Sequence, residues 1–205
     1  MKINYKDIHK LLILKSSNYN ELKNQIFENG IISLSKPKID FFSYVVKTII
    51  SQQISDTVAN SIWINFCKYF EKNIPKFEKI KNLEWLEDTA LENIGISQKK
   101  KEYIIHFYQS ITSKSLNFNL LKNNDEDEFK SRLTKIKGIG NWTCDMILIF
   151  FFLRLNIFPK NDLIIEKVKK KLCAIEHKQI DFNKIYSPHL SILSIHMWKM
   201  SKRIL

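Results

Sequence analysis

Two of the four glycines in this 205-residue chain fall in one turn, Lys137-Gly138-Ile139-Gly140, with an apolar helical pattern on either side. Glycine permits positive φ and leaves no Cβ between backbone and ligand. A G-x-G between two amphipathic stretches therefore predicts a helical hairpin whose turn N–H groups stay open to an anion. Phe129, Leu133 and Ile136 mark the apolar side of the first helix, and Asn141 is placed to cap a second, strongly apolar one. The dipole of that second helix brings partial positive charge to the turn, and Lys135 and Lys137 add mobile charge. The hairpin, residues 125–155, is thus suited to hold a phosphate backbone without reading base sequence. Ordinary helical hairpins share this signature, so the surrounding residues must decide its use.

The rest of the chain also reads as helix. Four Gly and four Pro in 205 residues are too few turn formers for a sheet of short strands. Helical spacing predicts elements over 5–16 and 19–28, and over 39–53 with Phe42, Val45, Val46, Ile49 and Ile50 inward. Another follows Ser55 or Asp56 to residue 70, anchored by Val58, Ile62, Phe66 and Tyr69. A short helix over 83–91 stops at Gly95, and Ser97 opens one to residue 111 with Tyr103, Ile104, Phe107 and Tyr108 inward. Residues 117–124 are polar and turn-rich, which predicts a crossing between lobes. The most apolar run, 146–153, is eight residues long and ends at Arg154, short of the ~20 needed to span a bilayer, so it predicts a buried helix. The expectation is an all-α protein, one domain over 1–205, with lobes of about 40–120 and 1–39 plus 121–205.

Lys and Arg number 33 against 21 Asp and Glu, a net charge of +12, which favours a polyanionic partner such as nucleic acid. Lys, Ile and Asn are abundant throughout, so composition bias offers a second source for that charge. Cys67, Cys144 and Cys173 are scattered and lack a C-x-x-C pair, which supports neither a disulfide framework nor a zinc site. Residues 1–18 carry charges among the apolar positions and do not read as a signal peptide, so an intracellular protein is expected.

The run Leu133-x-x-Ile136-Lys137-Gly138-Ile139-Gly140-Asn141-Trp142-Thr143, followed by Arg154, Phe158-Pro159 and Asp162-Leu163, resembles the core motif of the helix-hairpin-helix DNA glycosylases. The resemblance is nearest to their 3-methyladenine DNA glycosylase II branch. Three further blocks agree in order: 42–55 with Ile50-Ser51-Gln52-Gln53-Ile54-Ser55, then Gly95-Ile96-Ser97 with Lys100, then Tyr186-Ser187-Pro188-His189 with 191–198. The chain departs from the family pattern at Tyr186 and Leu190, where a Trp and an Arg are usual, and at Met146, where an aromatic is common.

The resemblance implies a two-lobed helical core with a cleft between lobes, acting as a monomer on double-stranded DNA that holds a damaged base. It implies that Asp162 is the catalytic carboxylate, that Trp142, Trp198, Met146 and Tyr186 line the base pocket, and that Gln52, Gln53, Ile54 and Ser55 form the turn that wedges the duplex. Lys135, Lys137, Gly138, Ile139, Gly140 and Thr143 then contact the DNA backbone. A carboxylate beside C1′ stabilises an oxocarbenium-like sugar, although Asp before a helix is also an ordinary N-cap. Bifunctional relatives carry a Lys at the position of Trp142, so hydrolysis without strand cutting is expected. Three scattered cysteines cannot hold the iron–sulfur cluster of some relatives, and no cofactor is expected beyond a monovalent cation left open at the hairpin backbone. Alkylated purines are the expected substrate; uracil, mismatched thymine, hypoxanthine, an oxidised purine, or a non-catalytic DNA-binding role remain the alternatives.

Overall fold

A computed structural model describes residues 3–69 and 90–205, and among these there is no strand. The protein is all-α. Its contacts divide it into two compact units, Met1–Ser35 with Leu153–Leu205, and Lys36–Phe152. Residues 121–152, which the sequence pattern assigns to the lobe of the chain ends, group instead with 36–120. The helix expected over 83–91 lies largely outside the described residues, which resume at α5.

The unit Lys36–Phe152 is built on α3 (Phe41–Ser51). Asp40 caps it by accepting from the Ser43 N–H at 2.9 Å and the Ser43 hydroxyl at 2.8 Å. Phe42, Val45, Val46, Ile49 and Ile50 are buried as their spacing predicts, each burial contributing about 1–3 kcal/mol. Phe42 stacks on Phe107 of α6 (Gln98–Thr112), and Phe41 meets Phe107 and Phe151 edge-on. Ser97 caps α6, and Gly95 at φ +93° ends α5 (Ala90–Asn93) as expected. In α4 (Asp56–Tyr69) the buried face is Ala59, Trp63 and Phe66, whereas Val58 is nearly half exposed. The inward face is therefore rotated from the Val58/Ile62/Tyr69 expectation, because the large indole of Trp63 takes the core.

Residues 117–124 correct a second expectation. Asn117 caps a short helix, α7 (Phe118–Asn123), with Leu121 fully buried, and the segment lies inside one unit. Its asparagine content hid one apolar anchor per turn. Next come α8 (Glu126–Leu133), capped by Asp125, and α9 (Asn141–Met146). The apolar run after α9 widens into one π turn, Ile147–Phe151, closed by a Phe152 N–H to Ile147 carbonyl bond. The expected buried helix is thus present but wider than an α-helix.

The other unit packs α1 (Tyr5–Lys15) and α2 (Asn20–Asn29) onto α10 (Leu163–Ile175), α11 (Phe182–Tyr186) and α12 (Leu190–Ile204). Ile8, Leu12, Leu22 and Ile26 share a core with Ile165, Val168, Leu172, Leu193 and Met197. The first residue before α2 offers no side-chain cap, so Glu176 supplies one from beyond α10. Its carboxylate accepts from the Asn20, Glu21 and Leu22 N–H groups at 3.1, 2.7 and 3.1 Å. No helix among the described residues is long and apolar enough to cross a membrane.

His196 of α12 is fully buried, bonded to the Asn29 amide at 3.1 Å. Burial, with His9 and Lys199 nearby, pushes it down to about 3 from 6.5. The unfolded chain therefore takes up a proton between those values that the folded one refuses, and stability falls as pH drops through that window. Urea midpoints should decrease from pH 7 to pH 4.5, and His196→Gln should flatten the decrease; an unchanged profile in that variant would place the acid sensitivity elsewhere.

Candidate functional site

The hairpin joins α8 to α9 through residues 134–140. Gly138 has φ +93°, and a Cβ there would sit 2.0 Å from Cγ of Tyr103. It is required both by its backbone and by the ring packed on it. Gly140 is different: its φ is −100°, and a Cβ there would meet nothing within 4 Å. Nothing among the described residues demands a glycine at 140. It occupies the N-cap of α9 without a side-chain cap, so Asn141 is the first helical residue rather than the cap the sequence predicts. Gly140 itself supplies no side-chain oxygen to the first N–H groups of α9.

Several residues expected to touch DNA instead hold the hairpin together. Ile139 and Thr143 are only 3% and 2% exposed, so their side chains belong to the interior, and the Ile139 N–H donates to the Ile136 carbonyl at 3.0 Å within the turn. The Gln52 amide donates to the Gly138 carbonyl at 2.8 Å and to the Thr143 hydroxyl at 3.0 Å. Lys100 donates to the Ile50 carbonyl at 2.6 Å, closing the C-terminus of α3, and its burial lowers its pKa. The turn after α3 is thereby fastened to the hairpin. At its tip Gln53 is exposed with φ +59°, Ile54 is half-buried, and Ser55 is exposed with its hydroxyl accepting from the Val58 N–H. Lys135 and Lys137 are exposed, Lys137 pairing with Glu102 at 3.2 Å.

Sequence reasoning missed one pair inside the hairpin. Asp145, 2% exposed, forms a 2.6 Å ion pair with Lys130 of α8, tying the two helices together. An acid within the otherwise apolar run from Cys144 to Ile149 was the available signal. Met146 is buried, and its carbonyl accepts from the Tyr44 hydroxyl at 3.4 Å. Trp142 is half-buried at the second position of α9.

In the other unit Asp162 is the N-cap of α10. Its Oδ1 accepts from the Ile164 and Ile165 N–H groups at 3.0 and 2.9 Å, and the residue is 8% exposed. The loop leading to it is pinned from α12. The buried Ser191 hydroxyl donates to the Arg154 carbonyl at 2.6 Å and accepts from the Ile157 N–H at 3.0 Å, and the Ser191 N–H donates to the Leu155 carbonyl. Phe158 then stacks near Phe182, with the Lys169 ammonium over its ring. Trp198 is half-buried against the core of this unit. Tyr186 is not a pocket residue: it is 0% exposed, with its hydroxyl bonded to Ser16 at 2.8 Å, and burial pushes its pKa up to about 12. An aromatic ring fully enclosed by the unit's core has no face left for a ligand.

A family model described as HhH-GPD superfamily base excision DNA repair protein matches residues 46–185. The chain belongs to this superfamily. The Saccharomyces cerevisiae DNA-3-methyladenine glycosylase is 26% identical over 221 residues, spanning 88% of this chain and 74% of that protein. The Bacillus subtilis protein YfjP is 27% identical over 169 residues, across 77% of this chain and 58% of its own length, so this HhH-GPD chain spans little more than half of that relative. In fold it is similar to the Schizosaccharomyces pombe 3-methyladenine DNA glycosylase solved with abasic DNA, with a TM-score of 0.75 and 23% identity over 96% of this chain and 97% of that one. Among the described residues no cluster of His, Cys, Asp and Glu is arranged to hold a metal ion.

The two hairpin glycines should respond differently to a methyl group. Gly138→Ala should lower unfolding free energy by about 3 kcal/mol or more, from positive φ and the clash with Tyr103, whereas Gly140→Ala should change it by less than about 1 kcal/mol. Denaturant titration of both variants measures the contrast.

Proposed function

We propose that this HhH-GPD protein is a monofunctional DNA glycosylase that hydrolyses the N-glycosidic bond of alkylated purines of the 3-methyladenine and 7-methylguanine type. The observation that carries the reading is the Asp162 carboxylate, held by two backbone N–H groups at the start of α10 and reached through a loop that Ser191 pins. Such fixing is what electrostatic stabilisation of a developing cation requires, because the group need not reorganise as charge appears. The names of the yeast and fission-yeast relatives support the same substrate class.

In this reading the hairpin backbone around Gly138 and Gly140 and the ammonium groups of Lys135 and Lys137 hold the phosphates of double-stranded DNA, with a monovalent cation at the hairpin carbonyls as an optional aid. Gln53 or Ile54 fills the gap left when the damaged nucleotide rotates out of the stack. Asp162 stabilises the oxocarbenium-like sugar and orients water onto C1′ as the base departs with the bonding electrons, leaving an abasic site. The rings of Trp142 and Trp198 favour a positively charged alkylated purine by about 1–2 kcal/mol through cation–π attraction. Alkylation has already weakened the bond, so that preference is sufficient. No lysine amine stands at position 142 to attack C1′, which keeps the reaction hydrolytic. The protein works as a monomer in the nucleoid or nucleus.

Incubation with duplexes holding 3-methyladenine, 7-methylguanine, hypoxanthine, uracil or 8-oxoguanine tests the reading. Free base should appear from the alkylated purines, with strand breaks only after alkali; no release from any duplex would sink the enzyme reading, and borohydride-trappable breaks without alkali would overturn hydrolysis. Asp162→Asn should retain DNA affinity and lose about a hundredfold or more of the rate of base release.

A further inference from the structure

The positive charge is distributed unevenly between the two units. Residues 1–35 and 153–205 hold 16 Lys and Arg against 7 Asp and Glu, whereas residues 36–152, hairpin included, hold 17 against 14. Most of the surplus therefore lies outside the unit that carries the hairpin. Its densest stretch is α10, which buries Ile165, Val168 and Leu172 and turns Lys167, Lys170 and Lys171 to solvent on the opposite side, beside Leu163 at 78% exposure.

The acids of this stretch do not neutralise those lysines. Asp162 is engaged by the first N–H groups of α10, Glu166 pairs with Lys169 at 2.8 Å, and the Glu176 carboxylate caps α2. Among the described residues Lys167, Lys170 and Lys171 make no ion pair. Lys170 and Lys178 continue the basic surface along a groove of about 680 Å³ beside the helix. An unneutralised ridge of ammonium groups repels itself in the free protein, and that repulsion is relieved by a partner with closely spaced negative charge. At 1.5 Å of rise per residue, Lys167 and Lys171 lie roughly 7 and 13 Å along the helix from Asp162. Lys167 and Lys171 are thus about 6 Å apart along the helix, and each strand of duplex DNA carries one charge per ~3.4 Å of axis, so on their flexible stems the three ammonium groups match about two or three phosphates.

We propose that Lys167, Lys170 and Lys171 form a second contact for the phosphate backbone of duplex DNA, on the unit that carries Asp162 and separate from the hairpin glycines. This rests on the reading of the chain as a DNA glycosylase. The contact extends along the backbone away from the start of α10 and adds affinity without base recognition.

Anisotropy titration of a short undamaged duplex against increasing KCl tests the proposal. K167Q/K170Q/K171Q should flatten the slope of log affinity against log salt by about 2–3, near 0.9 for each lost phosphate contact, and weaken binding roughly tenfold to a hundredfold at ~0.15 M salt. A control, K6Q/K10Q/K23Q, removes the same charge from exposed positions of α1 and α2 and should leave the slope unchanged. Equal flattening in both would assign the effect to net charge and overturn the ridge. An unchanged slope in the ridge variant, with wild-type binding intact, would overturn it too and leave the ridge to another polyanion. A wild-type protein that binds no duplex would overturn the glycosylase reading together with this one. K167E/K171E should weaken binding further than the neutral variant at the same two positions, and binding equal to that variant would count against a direct phosphate contact.

Discussion

The hydrogen bonds of Gln52 to the Gly138 carbonyl and the Thr143 hydroxyl are the constraint on which the hairpin unit depends. They join the end of α3 to the turn between α8 and α9, 86 residues further along the chain. Lys100 closes the same end of α3 from α6, and the Tyr103 ring seats on Gly138. Without Gln52 a part-buried carbonyl and a buried hydroxyl would both lose their partner, at about 1–3 kcal/mol each. The left-handed Gln53 at the tip and the start of α9 at Gly140 are therefore parts of one framework rather than two independent loops.

The second unit solves a different problem, namely how to aim a carboxylate from a loop. Asp162 follows nine residues, 153–161, with no regular element, and loops of that kind are ordinarily mobile. Here Ser191 binds the backbone of Arg154, Leu155 and Ile157 within the first half of that stretch, and Phe158 stacks near Phe182 with the Lys169 ammonium over its ring. The N-capping bonds then fix the carboxylate itself. Capping and catalysis make compatible demands on an aspartate, since both require an oxygen held still at the positive end of a helix. The alkaline shift of Tyr186 and the acid shift of His196 mark how dry the adjoining core is.

The faces of α3 and α6 were legible because their apolar residues recur at helical spacing and their partners are simply other apolar residues. Gly138, Asp162 and the caps at Ser97 and Gly95 were legible because local backbone chemistry demands those types. The face of α4 and the helix at Phe118–Asn123 were not, because side-chain size and a single buried leucine decided them rather than periodicity. Polar side chains misled most. Gln52 and Thr143 look like surface groups in sequence and prove to bond within the protein, Tyr186 looks like a pocket wall and is core, and Asp145 pairs with Lys130 from inside an apolar run.

Sequence alone determined that the chain is helical, where its glycine hairpin lies, and which carboxylate opens α10, since each follows from interactions within a few residues. Tertiary structure decided which polar groups face inward, that residues 1–35 fold with 153–205, and hence that most of the positive surplus sits with Asp162 rather than with the hairpin. The physical reason is distance along the chain. A hydrogen bond from Gln52 to Gly138 or from the first N–H groups of α2 to Glu176 joins residues 86 and about 155 positions apart, and no local pattern encodes which donor will meet which acceptor.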